Sequence, residues 1–173
     1  RILRKILSRL EDETTGRILP QELHVEIPAQ RVEQAKRTAQ ILGADVYAKF
    51  PLVDGMQPMN ADLTELVLNR TWRPALSVTG VGGIPPLDSA GNVLRPFTAV
   101  KLSLRVPPTL DAKQGGEFLK RLLEADAPYG AKVTFDLEKA GSGWEAPALA
   151  HWLEHSVEHA SKAYFGAPVA YNG

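Results

Sequence analysis

The chain contains no cysteine. Disulfide scaffolds, thiolate-bound zinc, iron–sulfur clusters and a cysteine nucleophile are excluded together. Net charge is also missing, because 20 Lys and Arg balance 20 Asp and Glu. A basic nucleic-acid platform or a polybasic membrane anchor therefore has no electrostatic basis. Aromatic residues are only 7% of the chain, and Trp72, Trp144 and Trp152 are too scattered to form a base-stacking platform. No apolar run approaches the ~20 residues of a membrane-spanning helix. No signal peptide is recognisable. These absences lead us to expect a cytoplasmic protein with neither nucleic acid nor membrane among its partners. What is present suffices for a core: 44% of 173 residues are apolar, enough for one domain with an appended piece. The first residues, from Arg1, already lie inside a helical pattern, so we expect a piece of something longer.

Residues 1–13 place Ile2, Leu3, Ile6, Leu7 and Leu10 on one helical face. Residues 28–42 read as a second helix, opened by Pro28 and stopped by Gly43. Asn60 is the expected N-cap of a short helix through Leu63, Leu66 and Val67. The period then changes. Residues 74–79 alternate, and residues 97–106 alternate more strongly, with Val100, Leu102, Leu104 and Val106 on one face. Lys101, Ser103 and Arg105 take the other face. Asp111 opens a helix carrying Phe118, Leu119, Leu122 and Leu123, weakened by Gly115-Gly116. A further strand is expected over 131–137, with Val133, Phe135 and Leu137 inward. A last helix is expected over about 147–165, with Leu149, Leu153, Val157, Ala160 and Tyr164 toward the core.

The order helix–strand–strand–helix–strand implies an α+β fold with helices on one face of an antiparallel sheet. It is a ferredoxin-like βαββαβ unit lacking its first strand. The expected organisation is a domain over 1–140 with a helical insertion at 21–70. Residues 141–173 form a linker and a returning helix.

Several motifs invite chemistry. HxxEH occurs twice in register, at His151–His155 and His155–His159. Two His at i and i+4 can ligate zinc, with the Glu as base. Stepping ~100° per residue puts these His opposite the apolar stripe, however, and a catalytic zinc needs three protein ligands in a dry cleft. The reading is a solvated helix face, and a small HxxEH peptidase is a minor alternative. Gly80-Val81-Gly82-Gly83 follows a strand, but Pro85-Pro86 comes next and no helix opens, so it is a turn. Glu11, Asp12 and Glu13 read as a solvated helix end. Arg105 sits on a strand, where its planar fork is held for bidentate carboxylate binding. Read from the pattern alone, it is a surface Arg over an open sheet face.

Trp72-Arg73-Pro74-Ala75-Leu76-Ser77-Val78-Thr79-Gly80 resembles a known family. So do Ser89-Ala90-Gly91-Asn92-Val93-Leu94-Arg95-Pro96 and Lys101-Leu102-Ser103-Leu104-Arg105. Together they look like the lid, or dimerisation, domain of carnosinase-like zinc dipeptidases, relatives of aminoacylase and succinyl-diaminopimelate desuccinylase. Ala163-Tyr164-Phe165-Gly166 and Ala170-Tyr171-Asn172-Gly173 fit as well. The resemblance covers 60–138 and 144–173, more weakly 1–20, and does not place 21–59.

What it implies is a division of labour. The family's catalytic domain holds two zinc ions through a His-x-Asp pair, a Glu-Glu pair and further ligands. This sequence has neither pair; His24-Val25-Glu26 is the nearest approach. No catalytic or metal residue is therefore expected here, nor any cofactor in the chain itself, and two zinc ions are expected in the parent enzyme. The family's carboxylate-binding strand Arg matches Arg105. The family's Asn or Thr thirteen residues earlier, which reaches the partner subunit's active site, matches Asn92. Implied partners are a second copy through the lid, the chain's own catalytic domain, and a peptide or acyl-amino-acid substrate. A stand-alone α+β interaction module is the other alternative.

Overall fold

The computed structural model describes residues 1–171, so Asn172 and Gly173 lie outside the described residues. Among the described residues, eight helices and strands occur in the order α1 (Ile2–Leu7), α2 (Ala29–Leu42), α3 (Asp45–Ala48), α4 (Leu63–Thr71), β1 (Ala75–Gly82), β2 (Ala99–Arg105), α5 (Ala112–Glu124) and α6 (His151–Phe165). Short 3-10 turns punctuate them. The chain divides into two compact units. One comprises Arg1–His24, Pro74–Val106 and Leu110–Ser142; the other comprises Val25–Arg73, Pro107–Thr109 and Gly143 onward.

The first unit is built on a two-stranded antiparallel sheet. Ala75 pairs with Arg105, Ser77 with Ser103 and Gly82 with Ala99, with a bulge between Val78 and Gly80. The alternation read in the sequence holds on β2: Val100, Leu102 and Leu104 are half-buried, while Lys101, Ser103 and Arg105 are exposed. The inward face rests on Leu10, Ile18, Leu23 and Leu119, joined by Leu76, Leu104, Phe118 and Phe135. α5 is capped as expected, Asp111 Oδ1 accepting from Lys113 N at 2.9 Å and Gln114 N at 3.1 Å. At its other end the Arg9 guanidinium donates to the carbonyls of Leu122, Ala125 and Asp126. That satisfies orphan C-terminal acceptors and places a cation at the negative end of the helix. Gly115-Gly116 is there for closeness: a Cβ at 116 would stand 2.6 Å from Leu137 Cδ2.

In the second unit, α2, α3 and α4 close around Ala35, Ala39, Val46, Val67 and Leu68. α2 ends at Gly43, whose φ of +53° continues no helix. α6 buries no residue completely and ends at Gly166 in the left-handed region. Arg37 and Lys162 both pair with Glu158, at 2.7 and 3.1 Å.

The α+β class and the helix–strand–strand–helix order stand. Four local expectations change. The first helix stops at Leu7 because residues 10–12 turn into a small hairpin, with Leu19 N donating to Leu10 O and Asp12 N to Arg17 O, both at 2.9 Å. Asp62 rather than Asn60 caps α4, accepting from Thr64 N at 2.8 Å; Asn60 Oδ1 instead accepts from Asp62 N. The last helix begins at His151, and Tyr164 is 83% exposed rather than turned to a core. Residues 131–135 keep the expected alternation but pair with no strand, and Leu137, expected inward, is 42% exposed.

Leu10 is fully buried. Leu10→Ala should cost about 2–5 kcal/mol, read as a lowered midpoint in chemical denaturation. The Asp12 carboxyl is held below its ordinary value by backbone hydrogen bonds from Thr15 and Thr14. A depressed folded value stabilises above the unfolded value of about 4 and is lost as pH falls through the folded one. Asp12→Asn should therefore lower the Tm at neutral pH, leave it unchanged at the acid end, and so flatten the acid limb of a Tm-against-pH curve.

Candidate functional site

Arg105 is the last residue of β2, exposed on the outer face of the sheet with Ser103 and Lys101. Its place opposite Ala75 puts it at the open end of the hairpin. Asn92 lies in the exposed connection between Gly82 and Ala99, at the closed end. The six steps from Ala99 to Arg105, at ~3.3 Å each, separate the two ends by about 20 Å. Asn92 belongs to the connection that leaves the hairpin at the end away from Arg105. The connection around Asn92 is itself apolar and open, with Leu87, Val93, Leu94 and Phe97 all more than half exposed.

The first unit also holds a groove, as expected of a ferredoxin-like unit lacking its first strand. It has a volume of about 890 Å³. Its walls are β2 and residues 134–141, and its floor includes Leu10, Gly115, Gly116 and Leu119. Lys101 Nζ reaches Glu138 Oε2 across it at 2.6 Å. The signal lay in the element order: a strand–helix–strand unit whose two strands do not pair leaves a space between them.

His151, His155 and His159 are all exposed on α6. Glu158, the acid of the second HxxEH, is occupied by Lys162 and Arg37. Its carboxyl is held low, chiefly by the Lys162 hydrogen bond and then by the Val169 N–H and the Arg37 charge. Among the described residues no three His, Asp or Glu side chains gather to hold a metal ion. These residues do not fit a zinc site. Nor does the glycine run fit a phosphate. Gly83 leaves β1 at φ +75°, and the next helical piece is the three-residue turn Leu87–Ser89. No described helix is long and apolar enough to cross a membrane.

On this geometry, zinc titration followed by calorimetry should show no stoichiometric site, and His155→Ala should leave the trace unchanged. One equivalent of zinc lost in that variant would restore the peptidase reading of HxxEH.

Comparison with known proteins follows the fold. No family model matches the sequence. The chain is 27% identical over 106 residues to the cysteinylglycine-S-conjugate dipeptidase of Corynebacterium striatum, a match covering 58% of this chain and 23% of that protein. Its structure superposes on the dipeptidase Dug1p of Saccharomyces cerevisiae with a TM-score of 0.70 at 19% identity, covering 99% of this chain and 36% of the other. It superposes on the M20 family metallo-carboxypeptidase Sso-CP2 of Sulfolobus solfataricus with a TM-score of 0.63 at 17% identity, covering 99% and 44%. Human carnosine dipeptidase 1 gives 0.60 at 18% identity, covering 96% and 36%. The chain thus spans less than half the length of each of these relatives. In fold, it is similar to a segment of the M20-family dipeptidases.

Proposed function

We propose that this chain is the lid and dimerisation domain of a cytoplasmic, zinc-dependent dipeptidase-like metallopeptidase. Its contribution is positioning. Arg105 receives the terminal carboxylate of a peptide or acyl-amino-acid substrate in its own subunit's site, through two parallel N–H···O bonds. Asn92 reaches the site of a second copy. The observation that carries this division is the opposite placement of the two residues on the hairpin, which suits two different substrate molecules. The exposed apolar connection around Asn92 suits a surface covered in a dimer. Hydrolysis itself, with its two zinc ions, belongs to the catalytic domain of such an enzyme, and the chain alone is inactive.

Arg105→Ala in the intact enzyme should lower kcat/KM by one to two decades, equivalent to ~1.4–2.8 kcal/mol of transition-state binding. Arg105→Lys should recover only part, because an ammonium cannot make the bidentate pair. A substrate with its carboxylate amidated should respond little to either change. Unchanged kinetics on the free-carboxylate substrate would sink the assignment.

A further inference from the structure

We propose that a small cavity in the second unit is a binding site for one ordered water, which joins the Trp72 indole N–H to the Tyr171 hydroxyl. The first observation is a pair of orphaned polar groups. Trp72 follows α4 directly and is only 3% exposed. Its backbone N–H donates to Leu68 O at 2.8 Å, but its Nε1 is buried and has no hydrogen-bond partner among the described residues. An indole N–H can only donate, so nothing but an acceptor satisfies it. Tyr171 arrives from a distant part of the sequence. Its carbonyl accepts from Thr38 Oγ1 at 2.7 Å, and Thr38 is buried on α2. Its hydroxyl oxygen is buried too and equally without a partner among the described residues. Buried polar groups are paired in the great majority of cases, and leaving one unpaired is costly.

The second observation is space. Trp72 and Tyr171 line the same cavity, with Arg31, Gln34 and Thr71. Its volume is about 10 Å³, which is room for a single water and for no larger ligand. Apolar cavities stay dry, but a polar one that offers a water two to four partners does not.

The third observation is the chemistry of the walls. Thr71 Oγ1 spends its proton on Val67 O at 2.9 Å, which leaves the oxygen able to accept. Gln34 Oε1 accepts from the Arg31 guanidinium at 2.8 Å and keeps a second lone pair. Burial, and then the Glu154 and Glu158 charges, push the Tyr171 hydroxyl above its ordinary value, so it keeps its proton and can both donate and accept. A water accepts from Trp72 and has two protons for the acceptors around it. An anion fits worse. The Arg31 charge is already committed to Gln34 Oε1, the Ala146 carbonyl and the Glu145 carboxylate, the last at 3.7 Å. The water gives Tyr171 a second tether. With the Thr38 bond, the chain beyond α6 is held to this unit by both the main chain and the side chain of one residue.

The test uses the 173-residue chain labelled with ¹⁵N. Cross-peaks between water and the indole N–H protons are recorded in NOESY and ROESY spectra, and a crystal structure is solved at a resolution that shows waters. A long-lived bound water gives peaks of opposite sign in the two spectra, whereas proton exchange gives the same sign in both. Trp144 and Trp152, 77% and 71% exposed, serve as the exchange controls. Trp72 should show the opposite-sign pair. The crystal should show one water within about 3.2 Å of both Trp72 Nε1 and Tyr171 Oη. No Trp72 cross-peak, or one of the exchange type, would overturn the site. So would a cavity without density or a direct bond between Trp72 and Tyr171. A Trp72 peak without density in the crystal would trace to a neighbouring hydroxyl proton and would overturn it as well.

Discussion

The antiparallel register of β1 and β2 decides where the chemistry of the first unit can be. It sets Ala75 against Arg105 and Gly82 against Ala99. The open end is thereby held one strand length from the points where the connection leaves and rejoins the sheet. Strand alternation then sorts the two faces. The leucines of β2 go down onto Leu119 and Leu10, and Lys101, Ser103 and Arg105 go up. A slip of one residue would bury Arg105 and Lys101 and expose Leu102 and Leu104, an exchange no core of this size tolerates. The apolar cluster thus fixes the register, and the register fixes the direction of Arg105.

A two-stranded sheet is marginal by itself. Its support comes from α5, tied down at both ends by side chains from distant parts of the sequence or its own first turn. Asp111 holds the N-terminal amides and Arg9 the C-terminal carbonyls. Arg9 matters twice, since it also fixes the start of the unit against the end of α5. The Lys101–Glu138 pair is of a different order. Both side chains are more than half exposed, so its worth is about 0–1 kcal/mol. It spans the groove without sealing it.

Local chemistry was readable in advance wherever it depended on one stretch of chain. Asp111 as a cap, Gly43 and Gly166 as stops, and the two faces of β2 all follow from residues within a turn or a pleat of one another. Readings failed where a remote partner intervened. The apolar spacing of Leu10 suits a longer first helix, yet pairing with the segment around Ile18 pulls it out. The alternation of Val133 and Phe135 is genuine, yet a strand exists only beside another strand. The same holds for the site. Arg105 could be placed on an outward face from its neighbours alone, but its role came from resemblance. The open space followed from the lacking first strand, but the residues that line it are some thirty positions apart and meet only in the fold.

On the proposed role, Arg105 would gain from being covered by a second surface. On an open sheet face, an Arg–carboxylate pair is screened and contributes about 0–1 kcal/mol. A charge-assisted hydrogen bond removed from water contributes about 1.5–3 kcal/mol. Strand placement supplies orientation, but orientation alone does not close the difference. Closing it requires a second surface to cover the bound carboxylate and expel water around it. The energy available from Arg105 is therefore conditional on closure, and it is largest when substrate, lid and the surface opposite are assembled together. In that proposed role, an exposed cation that becomes effective only once covered would couple substrate binding to domain closure.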